Sequence, residues 1–503
     1  MEIFFFFSNY YYYFLLFIFF LFVCNLLFKG SKNRPPSPLA LPILGHLYLL
    51  NKPLPQALKH LSDCYGPVLL LRFGSQYILA VSSPSAVEEC LTKNDVIFAN
   101  RPPVIAGKHL GYNFTTLEWA PFGHHWRNLR RLTNIEIFSS SSLQASSNIR
   151  NEEVRNLIGQ LFRKSSSLER FQDVDMKSMF FELTFNIVMK MVTRKRYTGD
   201  MNWSSDTIRD TFLPERLVNM VDFLPVLKWI GYQGTERNLL RMRRNKDLFL
   251  EGMIEENRNI KITAGDEGKK EKTMIDALLS LQEEEPETYT DEIIKGIIGL
   301  MFAAGIETQL VTLVSSLSLL LNHPEALTKL RTELDLHVEE GRILAESDLP
   351  KLPYLQCVIY ESLRLHPPAP IPLPHQSSQV CTVGGYDIPR GTTLLVNVWA
   401  IHRDPKLWEE PAMFKPERFE AGVIRGDDRM DGFKWIPFGS GRRGCPGAGL
   451  AMRIVSLAVG ALIQCFEWRK VDDDDDEQNK VLEPFSRAMY KPRMVHKDLF
   501  SQI

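Results

Sequence analysis

Cysteine is scarce in this chain. Its 503 residues include seven cysteines, an odd number, and these form no CxxC pair and no spacing typical of a zinc site. That scarcity excludes a disulfide framework or a zinc domain as the basis of the fold. All but one are predicted to be buried, reduced thiols in a cytosol-facing protein. The cysteines are Cys24, Cys64, Cys90, Cys357, Cys381, Cys445 and Cys465.

Strong net charge is absent as well. The formal net charge is -1 and the isoelectric point is near 6.8, so the overall charge gives no reason to expect nucleic acid or another charged polymer as a partner. No repeat of fixed period is evident, which argues against a solenoid or a propeller. A chain of 503 residues is long enough for up to about three ordinary domains or a single large one.

One long apolar segment is present, at the N-terminus. Residues 3–28 are almost continuously apolar and aromatic, which is long enough to cross a hydrocarbon layer of about 30 Å as a helix. A cleaved signal peptide is the alternative, but it would need positive charge before the segment and a small-residue cleavage site after it. Glu2 precedes the segment, whereas Lys29, Lys32 and Arg34 follow it. The positive-inside rule therefore predicts a retained anchor with the rest of the chain in the cytosol.

The segments that follow define the predicted domain organisation. Residues 10–13 are tyrosines that could sit at the membrane interface, in which case the span begins near Phe14. Prolines restrict the backbone of residues 33–47, which predicts a stiff hinge. The predicted domains are an anchor at 1–28, a basic proline-rich hinge at 29–47 and one cytosol-facing body at 48–503.

The body is predicted to be mainly α-helical with small β-sheets. Residues 68–73 and 77–81 are short β-type runs on either side of a small polar turn, which predicts a hairpin. Residues 291–322 predict one long apolar helix, with Thr290 or Asp291 as its N-cap. A helix that is apolar on nearly all sides runs through the middle of a soluble protein. The charged residues within this helix argue against the alternative, a second membrane span.

The remaining cysteine lies in a glycine- and arginine-rich loop. Residues 438–447 read FGSGRRGCPG, and the apolar-periodic segment after Pro446 predicts a helix that begins just after Cys445. A cysteine at a helix N-terminus is favoured as a thiolate, so we expect a lowered pKa, with Arg443 adding positive potential. Such a thiolate is either a nucleophile or a metal ligand. A nucleophile needs a histidine base with an orienting group, for which there is no local signature, whereas a haem iron needs only one axial thiolate.

This loop resembles the haem-binding signature of the cytochrome P-450 superfamily. The pattern F-x-x-G-x-R-x-C-x-G is met by Phe438, Gly441, Arg443, Cys445 and Gly447. The resemblance implies that Cys445 is the axial ligand of the iron in haem b and that Arg443 meets a haem propionate. It also implies the fold of that family, a single large and mainly helical haem domain behind an N-terminal transmembrane anchor.

A second motif lies within the long helix. AAGIET, residues 303–308, resembles the oxygen-activation motif of the family, which implies that Glu307 and Thr308 are catalytic and relay protons. Gly305 weakens the helix, and the Thr308 hydroxyl can bond a backbone carbonyl upstream. We therefore expect a local distortion of the helix at this place.

A third motif combines two segments. YESLRLHPP contains Glu361 and Arg364, and FKPERF supplies Arg418. Glu361 and Arg364 are spaced i and i+3 and can pair on one helix face. The resemblance implies that the three residues form a structural triad around the haem, whereas the alternative is an ordinary surface ion pair that contributes little.

A fourth motif is WRNLRR. Its Trp126 and Arg130 match the W-x-x-x-R of the family, which implies contact with a haem propionate, and His375 is predicted to be another propionate contact. Arg127 and Arg131 are off that register and are expected to face outward. A basic surface there would suit an acidic electron-donor flavoprotein, although ordinary solvated arginines are an equal alternative.

Taken together, the motifs resemble a plant microsomal haem-thiolate monooxygenase of the endoplasmic reticulum membrane. The resemblance implies that electrons from NADPH arrive through a cytochrome P-450 reductase and that one atom of O2 enters a small, largely apolar, aromatic and lipophilic substrate. The segments LPKLPYLQCVIYESLRLHPP and GGYDIPRGTTLLVNVWAIHRDP look like those of a particular group. That group contains isoflavone 2'-hydroxylases, lignan methylenedioxy-bridge synthases and indole glucosinolate hydroxylases.

Three alternatives stay open at this point. The enzyme could form a methylenedioxy bridge, or it could be a haem-thiolate isomerase or dehydratase, although these often lack the pair at Glu307 and Thr308. A catalytically silent haem protein is the third. By family position, the substrate pocket is expected to draw on the segment after Arg101, on residues 302–308 and 370–373, and on the turn near 486–489.

Overall fold

A computed structural model describes most of the chain. It covers residues 12–20, 33–50, 52–165, 169–197, 205–212, 219–229, 234–264, 273–420, 432–471 and 485–493. Within these ranges α-helices predominate and the strands are short, as predicted from the sequence.

The secondary structure elements are numbered in chain order. The α-helices are α1 (Leu54–Tyr65), α2 (Pro84–Glu88), α3 (Ile105–His109), α4 (His124–Glu136), α5 (Ser140–Ala145), α6 (Ser147–Lys164), α7 (Met176–Thr193), α8 (Ser205–Phe212), α9 (Met220–Phe223), α10 (Val226–Trp229), α11 (Gly234–Ala264), α12 (Met274–Glu284), α13 (Asp291–Gly305), α14 (Glu307–Asn322), α15 (Pro324–His337), α16 (Pro353–Leu365), α17 (Val398–Ile401) and α18 (Ala448–Cys465). The β-strands are β1 (Val68–Phe73), β2 (Gln76–Val81), β3 (Gln172–Asp175), β4 (His375–Gln376), β5 (Cys381–Val383), β6 (Tyr386–Ile388), β7 (Thr393–Val396), β8 (Phe466–Lys470) and β9 (Arg487–Pro492).

The chain divides into two compact units, and the first is rich in β-structure. It comprises Met1–Pro102, Asn219–Tyr232 and Ile371–Ala400. Its main sheet has the order β1-β2-β7-β4, in which β1 and β2 are antiparallel and β2 and β7 are parallel. The predicted hairpin is confirmed as β1–β2. Gly74 forms its turn with a φ of +56°, a conformation that glycine adopts without strain.

The second unit is mainly helical. It comprises Pro103–Val218, Gln233–Pro370 and Ile401–Ile503. At its centre, α14 packs against α7, α16 and α18, and a three-stranded sheet has the order β3-β9-β8. Fully buried aliphatic side chains fill the centre, among them Leu313 and Leu317 of α14 and Ile454 and Leu457 of α18.

The long apolar helix is present in this second unit, but it is interrupted. It is continuous in α13 up to Gly305 and resumes as α14 at Glu307. Asp291–Asn322 and Ala448–Cys465 are both long and apolar enough to cross a membrane by composition alone. Their most apolar windows are 61% and 72% buried, so both belong to the protein interior, as the sequence predicted for the first.

The N-terminal segment is described only in part. Residues 12–20 are helical, and their tyrosine, phenylalanine, leucine and isoleucine side chains are all exposed. The rest of the predicted anchor, and the start of the hinge up to residue 32, lie outside the described residues. The division into anchor, hinge and body therefore stays a prediction.

Candidate active site

The cysteine loop is built by backbone hydrogen bonds within it. The Cys445 amide donates to the Phe438 carbonyl over 2.9 Å, and the Gly444 amide donates to the Gly441 carbonyl over 3.1 Å. Gly441 has a φ of +71°, in the left-handed region that favours glycine. Gly447 then caps α18, which begins at Ala448. The predicted helix after the cysteine is thus confirmed, with its first residue three positions beyond the thiol.

The Cys445 thiol lies in a mixed environment. Solvent reaches its side chain, yet the surrounding protein is dense enough that burial raises the pKa of the thiol. A side chain that solvent reaches although protein surrounds it on most sides lines a cavity. The Gly447 amide, the Arg130 guanidinium and the Ala448 amide favour the thiolate, but they do not cancel the effect of burial on the pKa.

One expectation for this thiol is therefore wrong. The pKa of Cys445 is raised, not lowered, because desolvation outweighs the helix-terminal amides. Arg130 from α4 is a cation that favours the thiolate. The sequence motif identified Arg130 but not its effect on the sulfur.

Arg443 joins the cysteine loop to the chain before α4. Its Nη1 donates to the Leu117 carbonyl over 3.0 Å, and its Nη2 donates to the Ala120 carbonyl. Its guanidinium lies 4.5 Å from the centre of the Trp126 ring, whose Nε1 also donates to the Leu117 carbonyl, over 3.1 Å. The predicted propionate contact of Arg443 stays a prediction.

The WRNLRR motif meets the cysteine loop directly. Arg130 Nη2 donates to the Gly444 carbonyl over 2.8 Å, and burial lowers the pKa of Arg130 while Cys445 raises it. Arg127 and Arg131 are exposed, which confirms that they face outward. The structure therefore brings together two motifs that are more than three hundred residues apart.

His375 belongs to the first unit. It is 8% exposed, and its Nδ1 lies 2.9 Å from the Phe98 carbonyl. This contact fixes the ring against the backbone, while His375 itself pairs with Leu394 where β4 meets β7. Its role as a propionate contact stays a prediction.

The acid and hydroxyl lie at the interruption between α13 and α14. Ile306 separates the two helices, and the Thr308 hydroxyl donates to the Ala304 carbonyl over 2.6 Å. The expected distortion is confirmed at this place. Ala304 and Thr308 are exposed although Phe302 and Leu310 on either side are buried. In an otherwise interior helix, two exposed residues one turn apart face an open space.

The Glu307 carboxylate has two different surroundings. Its Oε1 lies 3.4 Å from Arg209 Nη2 on α8. Its Oε2 is buried and has no hydrogen-bond partner among the described residues. The motif identified Glu307, but no signal in the sequence identified Arg209, which lies 98 positions earlier.

The predicted triad is present and is not a surface ion pair. Arg364 Nε donates to Glu361 Oε2 over 2.7 Å, and its Nη2 donates to Glu361 Oε1 over 2.8 Å, with both side chains fully buried. Arg418 Nε donates to Glu361 Oε1 over 3.0 Å. Because each ion is paired and hydrogen-bonded, the cluster can persist without water.

A histidine that the sequence did not single out completes this cluster. Arg364 Nη1 donates to the His402 carbonyl over 2.7 Å, and the His402 Nε2 accepts the Ile436 amide over 3.0 Å. His402 thereby links α16 to the segment just before the cysteine loop. Burial and then Arg364 lower the pKa of His402 to about 3, which keeps its ring neutral.

These features define a class of enzyme. The thiol lies just before helix α18 and interacts with its N-terminal amides. Helix α18 packs against α14, and α14 begins with an acid and a hydroxyl. Thiolate ligation of haem favours O–O bond cleavage, which needs protons nearby. This is the arrangement of a haem-thiolate monooxygenase.

The comparison with protein families agrees. The family model described as Cytochrome P450 matches residues 35–493. The chain belongs to the cytochrome P450 family. Members of this family bind haem, and NADPH supplies their electrons through a reductase.

Three curated relatives are similar over nearly their whole length. Cytochrome P450 81Q32 of Catharanthus roseus is 48% identical, with 93% of each chain covered. An isoflavone 2'-hydroxylase of Glycyrrhiza echinata is 43% identical, covering 96% of this chain and 97% of the relative. The (+)-piperitol/(+)-sesamin synthase CYP81Q2 of Sesamum radiatum is 42% identical, covering 93% of this chain and 92% of the relative.

A solved structure shares the fold. A zebra fish cytochrome P450 with abiraterone superimposes with a TM-score of 0.71 and 26% identity. The match covers 88% of this chain and 100% of that chain. It confirms the mainly helical fold with small sheets that the resemblance implied.

The residues in the second unit fit a haem. Cys445 offers a solvent-accessible sulfur, and Ala304 and Thr308 are exposed on an interior helix. Arg130 is half-buried and has no carboxylate partner in the described part of the chain, so it can receive an anionic group. A thiol with a raised pKa gives up its proton when a metal binds it.

Proposed function

We propose that this enzyme inserts one oxygen atom into a small, largely apolar, aromatic plant specialised metabolite of the isoflavonoid, lignan or indole type. The observation that carries the proposal is the near full-length similarity to a hydroxylase of isoflavones and to a synthase of piperitol and sesamin. The exposed Ala304 and Thr308 support it, because a small apolar residue one helical turn from a hydroxyl suits an aromatic ring near the reacting position.

Cys445 is proposed as the axial ligand of haem b. When bound, haem supplies the activation of O2 and the transfer of one oxygen atom to a C–H bond. Arg130, Arg443, Trp126 and His375 are proposed to hold the propionates, since guanidinium and ring N–H groups donate strong hydrogen bonds to carboxylates. Phe438, Gly441 and Gly447 shape the loop so that its backbone can approach a flat ligand.

Glu307 and Thr308 are proposed to deliver protons. The Thr308 hydroxyl is both a donor and an acceptor, and in the resting protein it donates to the Ala304 carbonyl. The Glu307 Oε2 is buried and unpartnered among the described residues, so it can hold a proton within the protein. Glu307 would pass this proton toward the haem site, and the Thr308 hydroxyl would orient the group that accepts the proton there.

A methylenedioxy-bridge-forming oxidation is the second candidate. The similarity to the piperitol and sesamin synthase favours it. Hydroxylation and bridge formation differ in product mass, because the first adds one oxygen atom and the second removes two hydrogen atoms. The two relatives named here with an activity are a hydroxylase and a synthase, and neither is an isomerase or a dehydratase.

The surroundings of the enzyme are also proposed. Residues 3–28 would anchor it in the endoplasmic reticulum membrane by a single pass, and the exposed apolar helix at residues 12–20 supports this. The exposed Arg127 and Arg131 would contact the acidic surface of a reductase. Extraction of membranes with alkaline carbonate should leave the full chain in the pellet and release a chain that lacks residues 3–28.

Two measurements test the function. Microsomes that contain the protein should show the reduced, carbon monoxide-bound spectrum of a haem-thiolate. An isoflavone, lignan and indole panel, analysed by mass spectrometry, should then give an oxidised product only when NADPH and reductase are both added. Turnover without reductase would contradict the proposed electron route, and a folded preparation without the spectrum would contradict the ligand assignment.

A further inference from the structure

Three consecutive residues after α3 have an unusual backbone. Tyr112, Asn113 and Phe114 have φ values of +45°, +57° and +64°. This left-handed region is unfavourable for residues with a side chain, and asparagine tolerates it better than tyrosine or phenylalanine. A run of three such residues persists only where its surroundings hold it in place.

Tyr112 joins this run to helix α11, while the amides of Asn113 and Phe114 bond back to α3. It is 2% exposed, and its hydroxyl donates to Asp247 Oδ1 of α11 over 2.5 Å. Three cations lie over its ring, Arg243 at 5.0 Å, Lys246 at 4.8 Å and Lys295 at 5.8 Å from the ring centre. Burial and then the bond to Asp247 raise the pKa of Tyr112, so the hydroxyl keeps its proton and remains a donor.

Two glycines of α13 allow close contacts, Gly296 with this segment and Gly299 with Lys246 of α11. A Cβ at Gly296 would lie 2.9 Å from Cγ2 of Thr116, and a Cβ at Gly299 would lie 2.5 Å from Cε of Lys246. Real Cβ atoms essentially never approach so closely, so the two glycines permit the contacts. Lys246 Nζ also donates to the Leu110 carbonyl over 3.1 Å. The segment is therefore fixed to α11 and α13 at several points.

The other end of the segment reaches the cysteine loop. The Leu117 and Ala120 carbonyls accept hydrogen bonds from Arg443. Residues 105–120, called here the bridging segment, thus run from α13, which leads to Glu307 and Thr308, to the loop that carries Cys445. A segment that contacts α13 and is hydrogen-bonded to the cysteine loop forms part of the wall of the site between them.

We propose that Tyr112 is a positioning residue that controls the access of bulky aromatic molecules to the haem site. Its hydroxyl bond to Asp247 holds the left-handed turn, which backbone bonds to α3 close, against α11 and so keeps this part of the wall closed. Without that bond, the turn separates from α11 and the segment opens more often. The inference rests on the proposed haem site at Cys445, but not on the proposed substrate.

Ligand binding to the ferric holoenzyme tests this without turnover. The association rates of imidazole and of a bulky aromatic azole, clotrimazole, are measured by the change in haem absorbance after rapid mixing. In Tyr112→Phe we expect the clotrimazole rate to rise about tenfold relative to the imidazole rate, since one hydrogen bond to a charged group is lost. Asp247→Ala should behave in the same way. Asp247→Asn keeps an oxygen acceptor and should restore most of the discrimination between the two ligands.

Hydrogen exchange provides a readout that does not use the haem. Amides of residues 105–120 should exchange about tenfold faster in Tyr112→Phe than in the wild type, while those of α7 should be unchanged. Tyr360→Phe is the matched control, because it removes a half-buried hydroxyl that bonds Gln356 on its own helix. If Tyr112→Phe does not fold, Asp247→Ala takes its place.

The two possible failures can be told apart. A folded Tyr112→Phe protein with an unchanged rate ratio and unchanged exchange would overturn the proposal. Failure to oxidise any of the aromatic panel would contradict the proposed function, and it would leave the azole and exchange measurements to decide the role of Tyr112. A lower thermal midpoint with no change in rate ratio or exchange would show that Tyr112 has only a structural role.

Discussion

Arg209 on α8 and Glu307 on α14 approach to 3.4 Å between Nη2 and Oε1. Their side chains are 43% and 33% exposed, and a pair this accessible contributes at most about 1 kcal/mol to stability. The main effect of this ion pair is to orient the Glu307 carboxylate. With Oε1 turned toward Arg209, Oε2 points into the protein, where no described residue bonds to it.

Replacement of Glu307 tests whether this carboxylate moves protons. Glu307→Gln should lower turnover about tenfold to hundredfold, since general acid–base groups contribute at least that much. The substrate dissociation constant, measured by the spectral shift of the haem, should stay within about twofold. The ratio of product formed to NADPH consumed should fall. Glu325→Gln, an exposed glutamate at the start of α15, is the control, and equal effects of both variants would contradict the role of Glu307.

Replacement of Cys445 tests the ligand assignment. Cys445→Ala should abolish the carbon monoxide-bound haem-thiolate spectrum, because no other thiol lies in the described loop. Cys64 on α1 is a free cysteine that is exposed, so the prediction that it is buried is wrong. Cys64→Ser should leave the spectrum unchanged. A spectrum that persists in folded Cys445→Ala would show that another residue is the ligand.

Replacement of Arg364 tests the buried triad. Arg364→Lys keeps the charge but loses the paired bonds to Glu361 and the bonds to the His402 and Pro411 carbonyls. Urea unfolding should show a loss of about 3–5 kcal/mol in the free energy of unfolding, since the buried carboxylate and carbonyls that Arg364 bonds lose their donors. Lys59→Gln breaks an exposed pair with Asp63 on α1, and its effect should be below about 1 kcal/mol. Similar losses in both variants would mean that the triad contributes no more than a surface pair.

A methyl group at Gly74 should destabilise the first unit. Its φ is +56°, and a Cβ would lie 2.1 Å from the Phe223 carbonyl oxygen, which is backbone and cannot turn away. Gly341 has a φ of +82° with open space around it, so Gly341→Ala should cost only the backbone strain, about 1–2 kcal/mol. In urea unfolding, Gly74→Ala should lower the free energy of unfolding by about 1–3 kcal/mol more than Gly341→Ala does. Equal costs would show that the hairpin turn can move away from Phe223.

The neutral His402 makes stability depend on pH. In the unfolded chain its pKa returns to about 6.5, whereas in the folded protein it is about 3. Below about pH 6.5 the unfolded state therefore binds a proton that the folded state does not. The stabilisation by neutral His402 is complete above about pH 6.5 and is lost progressively as the pH falls toward 3. From about pH 7 to about pH 5 the titration of His402 lowers the free energy of unfolding by about 2 kcal/mol. In His402→Gln the pH-dependent loss, measured by urea unfolding at both pH values, should be smaller by that amount, and an identical loss would contradict the assignment.

Much of the fold followed from local patterns. The β1–β2 hairpin and the helix after Cys445 are confirmed because alternation, a glycine turn and an apolar period each act over a few residues. The interruption at Ile306 was expected from Gly305 and the hydroxyl of Thr308. The pKa of Cys445 was predicted with the wrong sign, since a sequence shows the helix terminus but not the density of atoms around the sulfur.

The sequence alone determined the family, the residues of the cysteine loop, the acid–hydroxyl pair and the members of the triad, because each is a short motif with fixed spacing. Only the tertiary structure decided that Arg130 acts on the thiol, that Arg209 orients Glu307, and that Tyr112 bonds Asp247. Those partners lie tens to hundreds of positions apart. Their pairing depends on which helices pack together and which groups lose water, and no local pattern of residues carries that information.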